Sequence, residues 1–261
     1  MKTWAIIRKE WIEVRQNKLV LSMILGLPLL FMLMPLVMLY FMARDPGSVS
    51  PGDVQMYTRL SPALASLEPV EVMEIILGQQ FMFFFLLMPL FIPIYIAAYS
   101  IVGEKTGRSL EPLLAAPIGT GELLAGKSLA AAVPAIVITW VAFVIYAVAL
   151  RFVVTPAVYA ALLSSKWILA MIVIAPLLSV LAMNVAVIIS SRVNDVRVAE
   201  QLSGLVVLPL IAVAMAQTAG RILFDFRSFA VGAVLLALID IIVLYIGIRL
   251  FQRETILTRW R

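Results

Sequence analysis

Residues 167–189 read WILAMIVIAPLLSVLAMNVAVII, twenty-three consecutive positions without one charged side chain. Wound as a helix at about 1.5 Å per residue, such a run reaches about 35 Å. That is enough to cross the ~30 Å hydrocarbon core of a bilayer. Five further apolar stretches have comparable length: Leu19–Met42, Phe81–Val102, Ser128–Leu150, Leu202–Ala219 and Phe229–Phe251. None shows the period-2 alternation in ten-residue segments that a membrane barrel needs. Helices that satisfy their own backbone groups are therefore the expected spanning elements. The fold class that follows is an all-α membrane protein, with six transmembrane helices in a single transmembrane domain over residues 1–261.

Composition agrees. The chain is 63% hydrophobic and 13% charged, with a mean hydropathy of +1.07. Soluble domains sit near 45–50% apolar and about 25% charged. Lipid must be the solvent for most of this surface. Cysteine and histidine are both absent. That removes thiol nucleophiles, disulfides, thiolate or imidazole metal sites and the usual general base. No catalytic residue and no metal site are expected on this chain.

Lysine and arginine set the orientation. Fourteen lie in residues 1–18, the second-to-third and fourth-to-fifth connections and the C-terminal tail, against six on the other side. Both termini are thus expected in the cytoplasm of a cell-membrane protein. The net charge of +5 reflects that topology, and nucleic acid is not an expected partner. Residues 43–80 are expected as an external loop, acidic and broken by Pro46, Pro51, Pro62 and Pro69. In residues 1–18, Trp4, Ile7, Trp11 and Val14 recur at helical spacing while Lys2, Arg8, Lys9 and Glu13 lie largely elsewhere. This predicts an amphipathic interfacial helix. The apolar run behind it is too long for a signal peptide and lacks a small-residue cleavage pattern.

Residues 121–128, GELLAGKS, satisfy the phosphate-loop pattern G-x-x-x-x-G-K-[ST]. A phosphate loop needs a buried strand before it and a turn whose amides wrap the phosphates. Here Glu-Leu-Leu-Ala favours helix and a membrane span follows, so nucleotide binding by this chain is not expected. Prolines 28, 35, 89, 93, 134, 176 and 209 lie inside spans. They read equally as ordinary membrane-helix composition or as kinks where a path opens. Asp240 is the one carboxylate deep in a span, with Asn184 and Gln217 as candidate hydrogen-bond partners. It serves either a structural hydrogen bond or an ion path.

The connection over 103–127 begins Gly-Glu-Lys-Thr-Gly-Arg-Ser-Leu-Glu-Pro-Leu-Leu-Ala-Ala-Pro. Ser109 is a good N-cap, Glu111 suits a helix start and Pro112 falls in the first turn. Leu110, Leu113 and Leu114 then share a face, and Pro117 closes a two-turn helix. Such a face rests on the membrane or docks a soluble partner. Glu104-Lys105, Ser109-Leu110-Glu111, Leu113-Leu114, Pro117 and Glu122, followed by Gly126-Lys127, resemble the signature loop of type-2 ABC transporter permeases, the membrane subunits of ABC exporters. The entry helix with Arg8-Lys9-Glu10 and Arg15, and residues 192–203 leading to Pro209, are similar to that family as well. At 106–108 the chain departs from the family: Thr106 replaces a charge, Gly107 comes one position early and Arg108 takes the glycine's place.

The resemblance implies a permease subunit of an ATP-driven exporter, paired as a homodimer or with a similar second permease. ATP and Mg would sit on a separate cytoplasmic ABC ATPase, with no cofactor on this chain. It further implies that 103–127 and the entry helix carry the coupling contacts. The rival class is an ion-coupled secondary transporter or channel, which would call for several polar residues at the bilayer midplane and internal repeats.

Overall fold

The computed structural model describes residues 2–61, 64–107, 120–218 and 225–250. Among these every regular element is helical. Six stretches are long and apolar enough to span a membrane.

The organising element is α4, Pro69–Thr106, a helix of 38 residues. At about 57 Å it outruns a bilayer core, so its ends project. Glu68 and Glu71 form a capping box, and Pro69 occupies the first turn, where its missing donor costs nothing. Within the stretch 43–80, expected from sequence as an external loop, the described residues are largely helical. There α2, Lys18–Arg44, ends near Pro46, and α3, Pro51–Leu60, begins behind Ser50. The first turns of α4 fill the end of the stretch. Pro51 and Pro69, read from sequence as breakers, are helix starters.

Helix α1, Lys2–Gln16, meets α2 at Asn17, whose Oδ1 accepts from the Val20 amide at 3.1 Å. Asn17 thereby caps α2 and re-aims the chain. The third span is α5, Thr120–Leu150. The fourth assembles from α6, Pro156–Leu162, α7, Ser165–Leu169, a π turn over Ala170–Ile174, and α8, Ala175–Ser190. The fifth is α9, Val196–Gly204, continued by α10, Leu208–Thr218. The last is α11, Phe226–Leu250. Helices α2, α5, α8 and α9 all pack on α4. Phe85, Met88, Leu90, Tyr146, Leu162 and Trp167 fill the resulting core.

Two prolines shape this packing through the carbonyls they orphan. Pro134 in α5 cannot donate to Ala130, four residues back, and the Trp11 indole N–H donates to that oxygen instead at 2.9 Å. Over the π turn the register widens to five residues, which would make Pro176 the donor to Met171. The Trp140 indole N–H takes that place at 2.7 Å. Of the two readings left open for the prolines, these two positions show local repair by a tryptophan.

Candidate functional site at the α1 end of the bundle

Helix α1 lies along α5 because Gly126 lets it come close. A Cβ at that position would stand 3.2 Å from the Ile6 Cβ. The face α1 turns inward is not purely apolar. It carries Ile6, 6% exposed, and Glu10, 2% exposed, while Trp4 points outward. Glu10 is buried because a cation is buried with it.

That cation is Lys127, 5% exposed. Its ammonium lies 2.7 Å from Glu10 and 2.8 Å from Glu104, and it donates to Ser100 Oγ at 2.7 Å. Lys9 pairs with Glu104 from the other side and reaches Glu13 at 3.3 Å. Half-burial pulls the Lys9 ammonium toward neutrality. The hydrogen bond and charge of Glu104, with Glu10 and Glu13, outweigh that and hold Lys9 above the usual lysine range. Three helices, α1, α4 and α5, are therefore tied at one point by three carboxylates and two ammoniums. The acid oxygens lie within 4.8 Å of one another, but the two ammoniums already stand among them. The arrangement is an ion-pair network in which each buried charge has a partner.

The next residue on α4 ties the other side. Lys105 Nζ donates to the Ser191 and Val193 carbonyls at 3.3 and 3.0 Å, gripping the turn between α8 and α9. In that turn Asp195 caps α9 by accepting from the Arg197 and Val198 amides.

The residues singled out from sequence thus divide. Lys9, Glu10, Glu104 and Lys105 are engaged within the chain. Arg8 and Arg15 are exposed on α1 and make no ion pair among the described residues. Ser109, Leu110, Glu111, Leu113, Leu114 and Pro117, and the side chain of Glu122, lie outside the described residues. Asp240 is buried on α11, but neither of its oxygens has a hydrogen-bond partner. The two partners expected for it do not bond to it. Asn184 Nδ2 and Gln217 Oε1 are likewise unpartnered, and Gln217 is on α10, which packs against α4 rather than α11. Sequence reasoning missed Lys127, Ser100 and Glu13. The available signal was a lone lysine at the mouth of an apolar span, with acids three apart at Glu10 and Glu13. The phosphate-loop match is helical from Thr120 onward, and its lysine is the buried hub.

A family profile described as ABC-2 family transporter protein matches residues 4–239. The chain belongs to the ABC-2 family of transporter proteins. Comparison with curated proteins finds no match. The stretch matched in this ABC-2 protein runs from α1 into α11, so the charge network and both flanking connections lie within it.

Proposed function

We propose that this ABC-2 protein is the permease subunit of an ATP-driven exporter in the cell membrane, with the α1 end of the bundle and both termini in the cytoplasm. ABC-2 membrane proteins work with ABC ATPase partners. In this reading a separate cytoplasmic ATPase binds ATP and Mg, and this chain supplies spans that take two arrangements. A second permease, identical or similar, completes the path. The excess of lysine and arginine on the α1 side supports the orientation.

The observation that carries the coupling role is the Lys127 network. Segment 108–119 connects α4 to α5, leaving α4 about one turn after Glu104-Lys105 and entering α5 about two turns before Lys127. A force on that segment reaches α1 and α5 through Glu104 and Lys127, and α8 and α9 through Lys105. Packed, charge-paired elements shift between discrete arrangements rather than deform. Glu104, Glu10 and Lys9 act in this scheme as internal struts. Leu110, Glu111, Leu113 and Leu114, with the outward Arg8 and Arg15, are the contacts assigned to the ATPase.

The experiment is recovery of an ATPase with the tagged full chain from native membranes in mild detergent, beside Glu111→Lys. Recovery that Glu111→Lys abolishes supports the exporter and its docking segment. Folded protein that brings down no ATPase overturns it. The unpartnered Asp240 carboxylate favours a second reading, ion-coupled transport. Wild-type transport by Asp240→Asn sinks that alternative.

A further inference from the structure

Between the α1–α2 joint and the end of α4 lies a cavity of about 560 Å³. Its wall carries both signs of charge and neutral donors: Glu13, Asn17, Lys18, Tyr99, Ser100 and Glu104. In the cavity wall and the ion-pair network beside it the acids are Glu10, Glu13 and Glu104 and the cations Lys9, Lys127 and Lys18, a balanced set; Arg8 and Arg15 of α1 do not line the cavity. The balance is uneven in space. Glu104 is buried between two lysines, whereas Glu13 is only half-buried, with Lys9 on one side. Lys18, which lines the same cavity, is exposed and makes no ion pair among the described residues.

Tyr99 belongs to a second feature. Over Phe81–Val102 of α4 the half-buried positions recur as Phe84, Leu87, Phe91, Tyr95 and Tyr99, one seam on an otherwise buried stretch. Phe91 and Tyr95 stack with ring centroids 6.5 Å apart. On one flank Phe31 of α2 packs on Phe84 at 5.1 Å. On the other, Glu200 of α9 lies within electrostatic reach of Tyr95. From Phe84 to Tyr99 the seam runs about 22 Å, longer than the ~15 Å of hydrocarbon in one leaflet. An apolar track of leaflet depth therefore ends in a small polar chamber whose wall offers both an exposed cation and a half-buried carboxylate.

We propose that this chamber takes the zwitterionic headgroup of a glycerophospholipid bearing a primary ammonium. Lys18 faces its phosphate, Glu13 its ammonium, and the acyl chains lie on the Phe84–Tyr99 seam. Charge complementarity selects this occupant: an anionic head without an amine leaves Glu13 facing a like charge, and a neutral head leaves Lys18 unused. The site deepens the permease reading, on which its role as the loading site for cargo from the inner leaflet rests.

The test is native mass spectrometry of the purified full-length chain, titrated with dioleoyl phosphatidylethanolamine or dioleoyl phosphatidylglycerol. The expected result is one phosphatidylethanolamine per chain, held about tenfold more tightly than phosphatidylglycerol, the worth of one charge-assisted hydrogen bond. Glu13→Gln abolishes that preference while phosphatidylglycerol still binds. Lys18→Ala weakens both lipids by about tenfold. Both side chains lie at the rim, and an unchanged circular dichroism spectrum certifies each variant as folded. The proposal is overturned if wild type shows no preference, or if folded Glu13→Gln/Lys18→Ala holds phosphatidylethanolamine as tightly as wild type. No ATPase takes part in this assay. Its failure removes the headgroup site and leaves the permease reading standing, while failure to recover an ATPase removes the exporter and leaves lipid binding measurable.

Discussion

Replacing Lys127 by methionine keeps the length and apolar stem of the side chain and removes only its charge. Both Lys127 partners are as buried as the lysine, with side-chain exposures of 3% for Glu10 and 5% for Glu104. Glu104 keeps Lys9, but Glu10 loses the one ion pair it makes among the described residues. Breaking a buried pair from one side costs about 3–5 kcal/mol, because the remaining charge stays desolvated. At roughly 2–4 °C per kcal/mol for a chain of this size, Lys127→Met should lower the melting temperature in detergent by roughly 6–20 °C. Glu10→Gln in the same background removes the stranded charge and should recover much of that loss. The assay is a double-mutant cycle on melting of the full chain, with an expected coupling of about 1–3 kcal/mol. Losses from the two single variants that simply add would refute the idea that Lys127 and Glu10 act as one unit.

Three further outcomes follow from the packing. The chain has no cysteine, so a pair introduced as Ile6→Cys and Gly126→Cys faces no background; the Cβ separation of 3.2 Å falls a little short of the usual ~3.5–4.5 Å disulfide range, so the pair should oxidise once the two helices ease slightly apart, read as a reductant-sensitive gel shift. Trp140→Phe should cost about 1–3 kcal/mol by leaving the Met171 carbonyl unpaired in an apolar setting, measured as a lower melting temperature. In the connection between α2 and α4, the Ser50 amide and then its hydroxyl bond to Asp53 and hold its carboxyl below the ordinary aspartate range. A depressed native value means the cap stabilises α3 above the unfolded pKa and is lost as pH falls through the native one. Protease sensitivity of residues 51–60 should therefore stay flat from pH 7 to about pH 5 and rise only below the usual aspartate pKa of ~3.9. Asp53→Asn should raise it at pH 7 already.

The spans were legible because one quantity, uninterrupted apolar length, fixes them, and residues 167–189 needed nothing more. Their ends were less so. Proline reads the same from sequence whether it breaks a helix or starts one, and Pro51 and Pro69 do the second. The π turn at Ala170–Ile174 was not legible either, since it depends on the Trp140 indole, thirty-one positions from Met171, arriving to fill an orphaned carbonyl. The separation of α1 into an inner and an outer face was read in part. Trp11 does face the bundle, but Glu10, named from sequence only within the entry-helix resemblance, is interior. A periodicity argument treats a carboxylate as solvent-seeking, and only the three-dimensional arrival of Lys127 reverses its sign.

Lys127 also marks where a motif and a mechanism part. Read as a string, Gly-Lys-Ser belongs to a phosphate loop, and the reason to reject it was local: helix formers before it and a span after it. The structure supplies the positive half of that argument. A phosphate-loop lysine must be free to meet phosphate oxygens, and this one donates to Glu10 and Ser100 and is ion-paired with Glu104. The same exclusion bears on Glu104. A carboxylate shared by two ammoniums has little left to offer a partner protein, so in the proposed permease reading Glu104 transmits force rather than making a contact. Lys105, one residue on, points to a different face of α4 and holds the α8–α9 turn. Two adjacent side chains, about 100° apart on one helix, thus join α4 to four other helices. A push on the segment that begins just beyond them cannot move one span alone.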